Sequence, residues 1–254
     1  MAKIIAISNH KGGCGKTTST INIGAALAQL KHSCLLVDLD PQSNLTISLG
    51  IDPEGQQHNI YTALSGQDKQ LHPIPIAKGL ELVPSTADLV GAELELVNKA
   101  GRESLLGWLL SEVQNQYQYI LLDCPPSLGL LTLNALTAAD AVYIPLQAQY
   151  LAMQGLAKLQ QVIGMVGQQL NKRLQIGGVF ITQYDSRKVL HRNVKELAEQ
   201  TLGATVCKTT IRDNIALAEA PTAGQTIYQY APKSKGAADY MELAKEIHKR
   251  SSKI

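Results

Sequence analysis

Residues 8–18 read SNHKGGCGKTT and set two lysines around a small cluster of glycines. Glycines let successive backbone N–H groups converge on an anion, and a helix starting at the same point adds its partial positive charge. A lysine at the end of such a loop neutralises β- and γ-phosphates, and the hydroxyl residue after it ligates Mg2+. Lys16 and Thr17 stand in those two places, with Gly12, Gly13, Cys14, Gly15 and Thr18 around them. The ordinary spacing GxxxxGK[ST] would put a glycine where His10 stands, and it has no need of a lysine at position 11. Lys11 is the residue that the ordinary loop leaves unexplained.

Two further stretches offer carboxylates. In LLVDLDPQ, strand alternation sends Leu39 to one face and lets Asp38 and Asp40 share the other. In YILLDCPPS, Asp123 follows four apolar residues, a position from which a carboxylate holds Mg2+ directly or through water. A lone aspartate at a strand end is most often a cap or a turn residue. Two such strands together with a phosphate loop favour a metal–nucleotide site.

These residues need a scaffold that brings strand ends together, and the hydrophobic pattern supplies one. Short runs rich in Ile, Val and Leu fall at 3–8, 33–39, 80–84, 119–124, 140–146 and 176–182. Several are apolar nearly throughout, as parallel strands covered on both faces are. Helical patterns lie between them, at 16–30, 86–97, 102–116, 128–138, 150–170, 189–201 and 237–250. The alternation predicts an α/β fold, a doubly wound and mostly parallel sheet with helices on both faces. Ligands of such sheets gather at the C-terminal ends of the strands, where Asp38, Asp40 and Asp123 are expected. Residues 52–79, with scattered Gly, Pro, Gln and His, read as an irregular surface excursion rather than a domain boundary. One domain over 1–254 is expected.

Composition narrows the classes. A chain of 254 residues, 45% hydrophobic, can bury a substantial core, and one Trp and one Phe leave it to Leu, Ile, Val and Ala. A formal net charge of +2 is too small to announce a nucleic-acid binder by itself. Cys14, Cys34, Cys124 and Cys207 form no CxxC pair and no Cys/His cluster, which argues against a disulfide framework, a zinc site or an iron–sulfur cluster within the chain. The apolar run opening at residue 4 reads as a strand rather than a leader, and no segment approaches 18 uninterrupted apolar residues. A cytoplasmic protein with reduced thiols is expected.

The variant loop KGGCGKT resembles the deviant Walker A motif of the ParA/MinD family of partitioning and positioning ATPases. The likeness extends through DLDPQSNLT, LLDCPPSLGLLTLNAL, IPLQAQYLAMQGL, IRDNIALAEAPTAGQTI and YAPKSKGAADYMELAKEI, and so covers most of the chain. It is nearest to the small chromosomal and plasmid ParA (Soj-like) proteins, which lack an N-terminal DNA-reading extension, and with strand one opening near residue 3 none is expected here. The resemblance implies ATP and Mg2+ as cofactors. It also implies that Lys11 reaches across a two-fold interface to the nucleotide of the other subunit. Asp40 would position or activate the attacking water, and Lys11, Lys16 and Asp40 would form the catalytic set. Asp38 would support the magnesium shell, with Thr17 and Asp123 serving the metal. The implied activity is an ATP-dependent homodimer that binds double-stranded DNA without sequence preference. A ParB-like partner would release it by stimulating hydrolysis, and the protein would lie on the nucleoid.

DNA binding without sequence preference needs cations on one surface. The densest candidates are Lys172, Arg173, Arg187, Lys188, Arg192 and Lys195, of which Arg187 is similar to a DNA-contacting arginine of Soj-like relatives; Lys245, Lys249, Arg250 and Lys253 add a basic tail. Solubility alone also places such charges on surface helices. Where Soj-like proteins read IPRNVRLSEAP this chain reads IRDNIALAEAP, so one family arginine falls on Asp213, beside Arg212, and another on Ala216. Compensation by neighbouring cations is expected. Rival readings share the loop. A MinD-like membrane association would need an amphipathic C-terminal helix, and KEIHKRSSKI carries little apolar surface. An iron-protein or cluster-carrier ATPase would need cysteines that the spacing does not supply. A protein cargo carried on the nucleoid stays open beside chromosome or plasmid DNA.

Overall fold

In the computed structural model the backbone is described for residues 1–97, 99–149 and 152–252, and side chains for the same residues except 152–154. One seven-stranded sheet carries β1 (Lys3–Ile7), β2 (Cys34–Asp38), β3 (Ile74–Ala77), β4 (Leu80–Val83), β5 (Tyr119–Asp123), β6 (Ala141–Gln147) and β7 (Gln175–Thr182) in the order β3-β4-β2-β5-β1-β6-β7. Neighbours pair in parallel except β3, which runs antiparallel to β4 at the edge. The helices are α1 (Lys16–Gln29), α2 (Asn44–Ser48), α3 (Ile60–Ser65), α4 (Leu89–Leu96), α5 (Leu105–Val113), α6 (Leu130–Ala138), α7 (Ala152–Gln169), α8 (Val189–Leu202), α9 (Ile215–Glu219), α10 (Ile227–Tyr230) and α11 (Lys235–Ser251). This is the doubly wound α/β architecture that the apolar runs predict.

The pleat divides the core in two. Ile4 and Ala6 of β1, Leu35 and Val37 of β2, and Ile120 and Leu122 of β5 pack with α3–α8 on one face. Ile5 and Ile7, Leu36, and Tyr119 and Leu121 pack with α1 and α11 on the other. Period-2 alternation carries Asp38 and Asp123 onto this second face, the side of α1. Helix α1 lies tight on the sheet because Gly24 leaves room there: a Cβ at that position would stand 2.6 Å from Leu36 Cδ2. Beside it on the same face α11 buries Tyr240, Leu243, Ala244 and Ile247, and the Tyr240 and Ser19 hydroxyls lie 2.9 Å apart.

Two expectations are corrected. The excursion 52–79 is not irregular throughout, because it holds α3 and β3. Helix α3 is capped reciprocally by Asn59 and Thr62, and β3 carries Pro75, a residue an edge strand tolerates because one side needs no N–H donor. Its IPIA pattern was too short, and Pro-interrupted, to register as a strand. The tail is also less free than its composition suggests. Arg250 pairs with Glu246 at 2.9 Å and donates to the carbonyls of Ala204 (3.1 Å) and Val206 (2.9 Å), tying α11 to the chain after α8, while Lys245 pairs with Glu242 at 2.8 Å. Lys253 lies outside the described residues. Among the described residues no helix is long and apolar enough to cross a membrane, and the apolar side of α11 is already buried against the core.

Candidate active site

Gly13 and Gly15 adopt left-handed φ of 71° and 88°, which turns the loop after β1 back onto the start of α1, and no side chain caps that helix. Its first N–H groups stay open to an anion. Lys16 is buried, and its Nζ reaches back over the loop to within 3.3 Å of the Lys11 carbonyl. The ends of β6 and β7 cradle the loop from outside. Thr182 Oγ1 donates to the Cys14 carbonyl (2.9 Å), Gln183 Nε2 to that of Gly13 (3.1 Å), and Asn9 Nδ2 to that of Pro145 (2.8 Å). His10, in the place of the usual glycine, turns its ring against Gly155 in α7, where a Cβ would stand 1.8 Å from the imidazole Cε1. Lys11 points outward and donates to Gln149 Oε1 at 2.5 Å.

The three aspartates converge as expected, and each is held differently. Asp38 and Asp123 are direct cross-strand partners in the β2–β5 ladder and both are fully buried. Thr17 Oγ1 donates to Asp123 Oδ2 (2.8 Å), and Thr20 Oγ1 lies 3.1 Å from Oδ1. Asp38 Oδ2 accepts from the N–H and hydroxyl of Thr46 (2.9 and 2.7 Å), and its Oδ1 accepts from the Asp40 N–H (3.1 Å). Strand β2 ends at Asp38, so a turn rather than the pleat brings Asp40 beside it. The Asp40 carboxylate caps the Gln42 N–H at 3.0 Å, and its carbonyl accepts from Ser85 Oγ at 2.9 Å. Burial raises the carboxyls of both Asp38 and Asp123, and the Asp38 charge raises Asp123 further, while Thr17 and Lys16 pull the latter down. Two carboxyls so placed, with Lys16 as the neighbouring cation, fit a divalent ion.

Thr20, Thr46, Ser85, Thr182 and Gln183 escaped the reading of the sequence. Thr20 carried a local signal, since Thr17 and Thr20 stand three apart on α1 and so share a face. Thr46 meets Asp38 eight residues back through a turn that no motif marks, and Ser85, Thr182 and Gln183 meet partners far along the chain. A further cleft of about 160 Å3 opens beside the loop, lined by Gly15, Thr18, Ile211, Asp213, Leu217 and Tyr240. The four cysteines are buried, and burial raises their thiols, Cys124 to about 12, so Cys124 is a core residue.

A polar groove of about 870 Å3 opens between the segment after β7, residues 208–213 and α11, and of the basic candidates Arg187 lines it. Its charges are mixed. Arg187 is spoken for by Asp185 through two side-chain bonds of 3.0 and 2.9 Å, and Arg212 by Asp239 through three. Lys195 lies 3.7 Å from Glu199, and Arg192 donates to the Ser186 carbonyl at 2.7 Å. Lys188 stands exposed at the start of α8 and Lys172 exposed before β7, while Arg173 lies 3.9 Å from Asp140. Lys208 and Lys235, which the sequence reading passed over, also line the groove and make no salt bridge among the described residues.

A parallel sheet with a glycine loop and buried carboxylates at its C-terminal edge defines a P-loop nucleoside triphosphatase. Comparisons place the chain within that class. A family model described as an AAA domain matches residues 2–176. The chain is 45% identical to sporulation initiation inhibitor protein Soj of Bacillus subtilis, over 97% of this chain and 98% of that one. It is 44% identical to chromosome partitioning protein ParA of Myxococcus xanthus, over 99% and 90%. Among solved structures, cobyrinic acid a,c-diamide synthase from Mycobacterium smegmatis with bound ADP and magnesium matches with a TM-score of 0.87 at 36% identity, covering 99% of this chain and 96% of that one. The septum site-determining protein MinD from Pyrococcus horikoshii, complexed with Mg-ADP, shares the fold with a TM-score of 0.81 at 24% identity over 99% and 98%. The chain belongs to the Soj/ParA family of chromosome-partitioning ATPases.

Proposed function

We propose that this chain is a single-domain, Mg2+-dependent ATPase that dimerises on ATP and holds double-stranded DNA without reading its sequence. A ParB-like partner would end that state by stimulating hydrolysis. The observation that carries the reading is the buried Asp38–Asp123 pair facing Thr17 and Lys16 at an uncapped helix start. Such a pair is costly in an empty site and suits a cation held between carboxylate and phosphate. Relatives crystallised with ADP and magnesium, and with an ATP analog and magnesium, support ATP and Mg2+ as the ligands.

In this reading the N–H groups of Gly12, Gly13, Cys14, Gly15, Lys16, Thr17 and Thr18 bind the phosphates, and Lys16 neutralises them. Thr17 and Asp123 hold the ion, with Asp38 behind them fixing the field through Thr46. Mg2+, when bound, neutralises charge building on the phosphoryl oxygens. Asp40, braced by Gln42 and Ser85, orients the attacking water and takes up its proton. Lys11 exchanges the neutral amide of Gln149 for the phosphates of the facing subunit, so only the ATP form gains that contact. The cleft lined by Ile211, Asp213 and Leu217 seats the base. The DNA face is the surface of Arg187, Lys188, Arg192 and Lys195 together with the groove that Arg187 shares with Lys208 and Lys235, and the chain would work in the cytoplasm on the nucleoid. Arg212, already paired with Asp239, is a poor substitute for the arginine that Ala216 replaces, so compensation falls to the lysines.

The test is binding of the Asp40→Ala protein to random-sequence duplex DNA with ATP and with ADP across a salt series. ATP-only binding that weakens steeply with salt is expected. Lys11→Ala introduced into the same protein is expected to lose the dimer and the DNA together. An ATP dimer that ignores DNA at every salt concentration would move the track to another surface, and ATP-dependent dimers of parental affinity in Lys11→Ala would end the cross-subunit role.

A further inference from the structure

Away from the nucleotide edge, the excursion before β4 brings together three side chains that the sequence separates. His58 lies just before the cap of α3, Asp68 just after the helix, and His72 just before β3. His58 Nδ1 stands 3.0 Å from Asp68 Oδ2, and the His58 and His72 rings lie 4.2 Å apart at 30°. One donor atom from each of the three falls within 4.8 Å of the others. We propose that His58, Asp68 and His72 form a binding site for a borderline divalent transition ion, with Zn2+ as the best-suited.

Donor chemistry selects the ion. Two imidazoles and one carboxylate are the ligands of zinc-class metals, whereas Mg2+ and Ca2+ take oxygen donors. This site is therefore chemically distinct from the all-oxygen set at Thr17 and Asp123. Geometry is close to what is needed: donors about 2.1 Å from a tetrahedral ion sit about 3.4 Å from one another, within reach of small ring rotations from the present spacing. Asp68 is already oriented, because Thr62 Oγ1 lies 2.6 Å from its Oδ2 and the Asp68 N–H donates to the Thr62 carbonyl at 2.9 Å. A hydrogen-bonded carboxylate of this kind is a common support for a metal ligand. His58 is about half exposed, its side chain at 52%, which leaves a path for the ion and space for a water as fourth ligand. A simple ion pair accounts for His58 and Asp68 but not for His72.

The site clamps the entrance and exit of α3. That helix hangs from the sheet through the Ile60 N–H, which donates to the Pro84 carbonyl at 2.9 Å, next to the Ser85 that braces Asp40. Bound metal would stiffen this platform.

The test titrates the metal-free full chain with Zn2+ against a chromogenic chelator, and follows amide hydrogen exchange over 56–73 with and without Zn2+. One equivalent is expected to bind, with slowed exchange in that segment. Single variants His58→Ala and His72→Ala should each weaken uptake by more than about tenfold, and Thr62→Val by about tenfold, while Asp123→Asn retains it. Circular dichroism and basal ATP hydrolysis of the two histidine variants should match the parent, which separates a lost ligand from a lost fold. Undiminished Zn2+ uptake by the double variant His58→Ala/His72→Ala would overturn the proposal. So would the absence of any uptake by the parent, or protection that maps to the Asp38–Asp123 edge instead.

Discussion

The C-terminal edge of β2 and β5 and the groove beside β7 both concentrate charge, and they handle it in opposite ways. At the strand ends the carboxylates are buried, and each oxygen is met by a named donor of the chain: Thr17 and Thr20 for Asp123, Thr46 and the Asp40 N–H for Asp38. In the groove the arginines face water, Arg187 with its side chain 89% exposed, and are satisfied by adjacent acids. Buried charge is expensive to rearrange, whereas an exposed pair exchanges partners at little cost. The nucleotide edge is thus built in advance. The groove has to give up internal pairs before it can hold an outside polyanion.

The largest test of this contrast is chemical. Asp40→Ala should lower ATP turnover by about 10²–10⁴-fold while leaving nucleotide affinity near that of the parent, the range for losing a positioned base. Parental turnover, measured by phosphate release, would remove Asp40 from the chemistry. Lys16→Ala should cost about 2–5 kcal/mol in ATP binding, read by calorimetry, because it strips a buried cation from an anion site. Asp123→Asn tests the opposite sign. Burial raises this carboxyl, so the folded chain retains a proton that the unfolded chain releases above the ordinary carboxylate range, and stability falls as pH climbs from there to neutrality. The variant escapes that fall. Its metal-free form should be more stable near pH 7 by on the order of 2 kcal/mol, with the gain vanishing near pH 4, while Mg2+-dependent nucleotide binding drops. The smallest effect belongs to the groove. Asp185→Asn, which frees Arg187, should tighten salt-sensitive DNA binding by about two- to fivefold, and Arg187→Ala should loosen it by a similar factor. Equal affinities in all three proteins would mean that the pair faces away from DNA.

Much of the nucleotide edge was legible because its signals are local. A glycine loop between an apolar run and a helix, and aspartates closing two apolar runs, are patterns within a dozen residues. What stayed hidden depends on distant partners. Ser85 braces Asp40 across a parallel crossover, and Thr46, though only eight residues past Asp38, reaches it only because the chain folds back into α2. Arg212 reads as a spare cation until α11 delivers Asp239 to it, and Arg250 reads as tail charge until the chain after α8 offers its carbonyls. The expectation of no zinc-type cluster rested on contiguous Cys and His motifs, and so it passed over His58, Asp68 and His72, which only the return of the chain around α3 unites.

By itself the sequence determined the alternation of strands and helices, the phosphate loop and the strand ends that carry carboxylates, since each follows from hydrophobic period and short-range residue chemistry. Tertiary structure alone decided which charges are available. Whether a lysine or arginine can meet an outside anion, or three side chains an outside cation, turns on the partner standing within about 3 Å of it, which is hydrogen-bond range. That partner is set by how the sheet orders its strands and where its helices lie, not by sequence neighbours.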